Sequence, residues 1–140
     1  MITSHLLLES DAQIRQLLMA TRTIAVVGAS EKPWRDSNSI AQYLIERGYD
    51  VYPVNPKYEV VLGVKCYPDL QAILAEIDIV NIFRRSDAVP EIVEQAIEIK
   101  AKAVWMQSGV IHEEAAERAM KAGVQVVMDH CIAVDHRRLV

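Results

Sequence analysis

Apolar residues recur at helical spacing in three stretches: Ile40, Ala41, Leu44 and Ile45; Ile92, Val93, Ala96 and Ile97; Ala115, Ala116, Ala119 and Met120. Each set falls in one stripe of a 3.6-residue turn and predicts an amphipathic helix with one face on a core. Gly48 and Gly123 stand where helices end in a left-handed residue, and Pro90 stands in a first turn, where its missing amide costs little. A further helix over 11–20 carries Ile14, Leu17 and Leu18 inward, and a short one is expected around 70–74, behind "YPD".

Between the helices the pattern changes to near-continuous apolar runs: "TIAVV" (23–27), "DVYPV" (50–54), "IDIVNIF" (77–83), "AVWM" (103–106) and "VQVVM" (124–128). Without polar alternation they read as strands buried on both faces. The order is a helix, then strand and helix alternating, closing on a strand. Such alternation makes right-handed crossovers and a parallel sheet covered on both sides. The expectation is one doubly wound α/β domain over 1–140, with strand order 3-2-1-4-5 and residues 1–21 as a helical extension packed on it. Ligands in such sheets sit beyond the carboxyl ends of the strands, where the winding reverses between the first strand and the fourth.

Length agrees with one domain, since 140 residues bury one sizeable core and are too few for two comfortable ones. The net charge of -4 and ordinary share of charged residues make nucleic acid a poor partner. Cys66 and Cys131 lie far apart with no neighbour at metal-ligand spacing, and an acidic, cysteine-poor chain suits a reducing compartment, so cytoplasm is expected. "HLLLES" is too short for a membrane span and fits no signal peptide.

Chemistry should then reside just after each strand. The first is followed by Gly28, Ala29 and Ser30, and by a loop with Lys32 and Arg35 ahead of a helix capped by Ser37 or Asn38. Only Gly28 survives from the G-x-G-x-x-G fingerprint, because Ser30 and Pro33 take the other glycine positions. Cations before a helix N-terminus, with its free amides, favour phosphate, which Ser30, Ser37 and Arg35 could bond. The plainer alternative is a tight turn at Gly28 with solvated charges.

After the second strand, Asn55 and Pro56 occupy the place where an NAD site carries Asp or Glu for the ribose. Asp50 begins that strand and so belongs at the opposite end. Lys57 offers positive charge suited to a phosphorylated ribose, or is a solvated surface lysine. "FRRSD" sets Phe83, an apolar edge for a base, beside the cations Arg84 and Arg85, with Ser86 or Asp87 as the next helix cap. Gln107 is a candidate for the crevice and Gly109 for a turn.

His130 next to Cys131 suggests a thiolate nucleophile, but neighbours on an extended chain point to opposite faces. Capping or surface exposure is the reading of His112 and His136. Trp34 could cover a ligand or pack on its loop, and Trp105 belongs to the core.

These positions bring the chain close to a known pattern. It resembles the small CoA-binding proteins of bacteria and archaea, whose domain is similar to the N-terminal domain of the succinyl-CoA synthetase alpha subunit. The resemblance spans 21–139 and is carried by "VVGAS" (26–30), "RDS" (35–37), "GYDVYPVNP" (48–56), "LGVKCYPDL" (62–70), "VWMQSG" (104–109) and "DHCI" (129–132). It implies a Rossmann-like fold holding coenzyme A or an acyl-CoA, the diphosphate near Ser30 and Arg35. The adenosine end would lie near Asn55, Pro56, Lys57 and the Phe83–Arg84 edge. Coenzyme A carries a 3′-phosphate on its ribose, which a carboxylate after the second strand would repel and a lysine would not. In the synthetase, the phosphorylated histidine and nucleotide machinery come from other domains, so a binding or regulatory module without its own catalysis is expected. The alternatives are an NADP-dependent oxidoreductase and a subunit of an acyl-CoA synthetase-like assembly.

Overall fold

The computed structural model describes residues 4–140. Five parallel strands form the central sheet: β1 (Thr23–Val27), β2 (Asp50–Val54), β5 (Ile79–Ile82), β6 (Ala103–Met106) and β7 (Gln125–Val127). A two-stranded hairpin, β3 (Val60–Val61) with β4 (Val64–Lys65), intervenes in sequence. The helices are α1 (Asp11–Ala20), α2 (Asp36–Glu46), α3 (Val89–Glu98), α4 (Glu113–Lys121) and α5 (Ile132–Leu139).

The doubly wound architecture agrees with the pattern. Alternate strand residues feed two cores: Ala25, Val27, Val80 and Ile82 meet α3 and α4 on one face. Ile24, Val26, Ile79 and Trp105 meet α1, α2 and α5 on the other. Trp105 is fully buried, as expected. Ser10 begins α1 with a capping box, its hydroxyl accepting from the Gln13 amide while the Gln13 side chain reaches back.

The order along the sheet is β2-β1-β5-β6-β7. The winding runs outward from β1 both ways, as 3-2-1-4-5 implies, but the run at 79–82 lies on the far side of β1 and not outside β2. The outer place is already filled: after the β3–β4 hairpin, Tyr67 bridges Val54, its amide donating to the Pro53 carbonyl at 2.9 Å. β5 is instead buried along its whole length, which suits an interior position. The winding therefore reverses between β1 and β5.

Two further elements escaped the pattern. Leu62 (φ 54°) and Gly63 (φ 74°) make the left-handed pair that closes the β3–β4 hairpin. The chain closes on α5 and not on a strand. Its inward face is Ile132, Ala133, Asp135 and His136, so half of it is polar and no apolar stripe announced it. The expected helix near 70–74 is a single 3-10 turn, Leu70–Ala72, capped by Asp69. His136 is buried, contrary to the surface reading, with its Nδ1 2.8 Å from the Tyr43 hydroxyl and Tyr49 edge-on to its ring. His112 does cap α4 by accepting from the Ala115 amide.

Candidate functional site

The strand register fixes where the site can lie. At the carboxyl end of the sheet the Gly28 amide donates to the Val54 carbonyl, and the Phe83 amide donates to the Val27 carbonyl. The first residues past β1, β2 and β5 thus meet at one point. Gly28 has φ +91°, and a Cβ there would come within 2.4 Å of the Phe83 carbonyl oxygen. Only glycine satisfies both conditions, so the closeness of the β1 and β5 ends depends on it.

From that point a cleft opens in two lobes. The first, about 550 Å³, is lined by Gly28, Ala29, Ser30, Lys32, Arg35 and Ser37, together with Trp34, Asp36, Asn55, Lys57, Tyr58 and Phe83. The second, about 480 Å³, shares Gly28, Asn55, Lys57 and Phe83 with it and adds Pro56 and Arg84. All eleven binding residues expected from sequence therefore come to one cleft.

The loop is held mainly by its own polar groups. The Asn55 amide donates to the Ala29 carbonyl at 2.8 Å, and its oxygen accepts from the Lys57 amide at 2.9 Å. The Asn38 amide donates to the Ser30 carbonyl at 2.8 Å, while the Ser30 hydroxyl accepts from the Lys32 amide. Asn55 and Asn38 thus fasten the phosphate-loop candidate from two sides. Cys66 supports Asn55 by donating its thiol to the Asn55 carbonyl, and burial pushes that thiol's pKa up, which makes it structural and unreactive.

The expected cap is corrected. α2 starts at Asp36 with Arg35 at its N-cap, and no side chain caps it. Ser37 and Asn38 lie inside the first turn, buried, because Asn38 is committed to Ser30. Among the described residues the Asp36 and Ser37 amides find no acceptor, so two helix N–H groups remain for whatever enters the first lobe. Lys32, Arg35, Lys57 and Arg84 likewise take no carboxylate partner among the described residues. Trp34 stands 76% exposed on the rim and does not pack on its loop.

Other candidates fall away. Gln107 is buried and accepts from the Asn81 side chain and the Ile132 amide, joining β5 to α5. Arg85 pairs with Asp87 at 3.7 Å on the surface. α3 begins at Val89 without a side-chain cap, and the Ser86 hydroxyl instead accepts from the Ile111 amide. His130 is turned to Asp135, 2.7 Å away on α5, so it is not paired with Cys131. Sequence reading missed Asp69, Glu91 and Gln95, which line the second lobe. The last two belong to α3, one turn apart, where helical periodicity identified only the buried stripe.

Residues 22–137 match the CoA binding domain family. The chain belongs to that family. It is 41% identical over 127 residues to YneT, an uncharacterized protein of Bacillus subtilis (strain 168), covering 91% of this chain and 94% of that one. A hypothetical protein from Pyrococcus horikoshii OT3 superimposes with a TM-score of 0.91 at 47% identity, covering 94% and 92% of the two chains. A 31% identical segment also lies in an ADP-forming acetate–CoA ligase of Archaeoglobus fulgidus; it takes in 84% of this chain but 18% of the ligase. No described helix of the CoA-binding domain protein is long and apolar enough to cross a membrane.

Proposed function

We propose that this chain binds coenzyme A, free or acylated, in the two-lobed cleft, as a cytoplasmic binding or regulatory module without catalytic machinery of its own. The diphosphate lies in the first lobe, against Ala29, Ser30, the free α2 amides and Arg35. The adenosine end lies in the second, between Pro56 and Phe83, with its 3′-phosphate toward Lys57 and Arg84. The observation that carries this reading is the set of four cations at the cleft with no carboxylate partner. These four cations outnumber the Asp36, Asp69 and Glu91 carboxylates on the same lining, which leaves the mouth positive and attracts a multiply charged anion.

NADP could meet the same cations, but the family membership favours coenzyme A, and only Gly28 remains of the dinucleotide fingerprint. The local match to the acetate–CoA ligase supports a second reading, in which the module serves a larger synthetase-like assembly. A thermal-shift series separates these ligands. At ~100 times its dissociation constant, coenzyme A should add about 2.7 kcal/mol of stability. Dephospho-CoA should act more weakly, and NAD and NADP weakly or not at all. An NADP response without a coenzyme A response would overturn the reading, and equal responses to coenzyme A and dephospho-CoA would remove the role given to Lys57.

A further inference from the structure

We propose that the second lobe reads the base of its ligand, with Glu91 of α3 selecting a 6-amino purine over a 6-oxo purine and Gln95 holding the same edge of either. This rests on the reading that the cleft holds coenzyme A, and concerns residues which that reading does not use. The lobe combines apolar surfaces, Pro56, Pro68, Phe83 and Ile92, with a polar wall from α3. Such a mixture suits a flat heterocycle, with its faces against apolar groups and its edge against hydrogen-bonding ones.

Glu91 and Gln95 are four residues apart on α3, so they stand on one face of the helix. The other carboxylates of that helix are occupied. Glu94 holds Arg118 at 2.8 Å and 3.1 Å, and Glu98 accepts from Gln71 at 2.7 Å. Among the described residues, the Glu91 carboxylate and the Gln95 amide have no partner. Asp69 differs again, since one of its oxygens caps the 3-10 turn through the Ala72 amide.

A carboxylate facing the lobe would repel phosphate, so the ligand part beside it must carry N–H donors. In an adenine nucleotide, that part is the 6-amino group. An amide side chain offers the acceptor and donor that match the amino group and its neighbouring ring nitrogen, and a carboxylate accepts from the second amino hydrogen. A 6-oxo purine sets an oxygen against the Glu91 carboxylate and loses that bond, whereas the Gln95 amide can turn and donate to the 6-oxygen.

The test uses the full chain and two ligands that differ only in the base, coenzyme A and its deaminated analogue carrying hypoxanthine, in titration calorimetry. The wild type should bind coenzyme A about 10- to 100-fold more tightly than the analogue. Gln95→Leu should weaken both ligands and leave the ratio nearly unchanged. Glu91→Gln should reduce it by strengthening the analogue, because its amide can donate to the 6-oxygen. Arg35→Ala should weaken both ligands equally and preserve the ratio. Equal affinities in the wild type, or a ratio unchanged in Glu91→Gln, would overturn the base-reading role while leaving the cleft a coenzyme A site. A wild type that binds neither ligand would overturn the reading of the cleft itself.

Discussion

The two edges of the central sheet treat charge in opposite ways. At the amino edge Asp78 accepts from the Arg22 amide at 2.8 Å and the Thr23 amide at 3.2 Å, and meets Lys102 at 3.1 Å; Arg22 pairs with Asp50 at 3.5 Å. At the carboxyl edge Lys32, Arg35, Lys57 and Arg84 have no such partner among the described residues. One edge has closed its polar groups on each other and contributes to stability. The other leaves cations and two helix amides without protein partners among the described residues, which does nothing for the fold and, on the function proposed above, suits an anion. Substitutions at the first should therefore be felt in unfolding, and substitutions at the second in binding.

Gly28→Ala is the strongest way to break that division, because Gly28 serves both the fold and the cleft. A side chain there needs an unfavourable positive φ and meets the Phe83 carbonyl at 2.4 Å, so β1 and β5 must part. The expected cost is about 2–4 kcal/mol in denaturant unfolding, together with loss of coenzyme A binding. A variant as stable as the wild type would mean that the strand ends are not held as closely as the structure has them.

Arg35→Ala should be nearly pure in its effect. The side chain is exposed and makes no contact on which folding depends, so stability should move by no more than about 0.5 kcal/mol. Loss of one charge-assisted bond of ~1.5–3 kcal/mol predicts a fall of about 10- to 150-fold in coenzyme A affinity by calorimetry. Unchanged affinity would retire Arg35 from the site.

The same contrast explains what could be read from the sequence. The carboxyl edge was legible because its residues follow directly on strands that the hydrophobic pattern locates, and glycine, asparagine and cations next to a strand end have few other uses. The amino edge was not, because Asp78 and Lys102 are ordinary charges in sequence and become partners only when β5 and β6 lie side by side. The place of β5 depended on the Tyr67 bridge, a single contact without periodicity. α5 was hidden by its own interior, where Asp135 and His136 replace the apolar residues that announce a helix. Burial in the Tyr43–Tyr49 contact holds the His136 pKa below its ordinary value, with Arg47 adding to the effect, and no neighbour in sequence foretells that. Glu91 and Gln95 belong to the polar side of a helix recognised by its apolar one.

Asp78→Asn is a smaller effect than these and the most telling, since it should disturb the amino edge alone. Burial by itself would raise the Asp78 pKa, but the Arg22 and Thr23 amides and Lys102 outweigh it and hold the carboxyl below its ordinary 3.8. A carboxylate with a depressed folded pKa contributes stability that is complete above its unfolded pKa and is lost as pH falls through the folded value. The asparagine keeps one acceptor for an amide and loses the charge, so the expected cost near neutral pH is about 1–2 kcal/mol. Lys102 is largely exposed, its side chain at 68%, and its pairing is screened, so Lys102→Met should cost under about 0.5 kcal/mol. Urea unfolding of wild type and Asp78→Asn across pH should give curves that run parallel above about pH 5 and converge below about pH 4. Five residues of β1 separate this edge from the cleft, about 16 Å, so coenzyme A affinity should stay within about twofold of wild type. A loss of affinity as large as that of Arg35→Ala would mean that the two edges act as one unit, and that the cations at the cleft owe their positions to the ion pairs at the other end of the sheet.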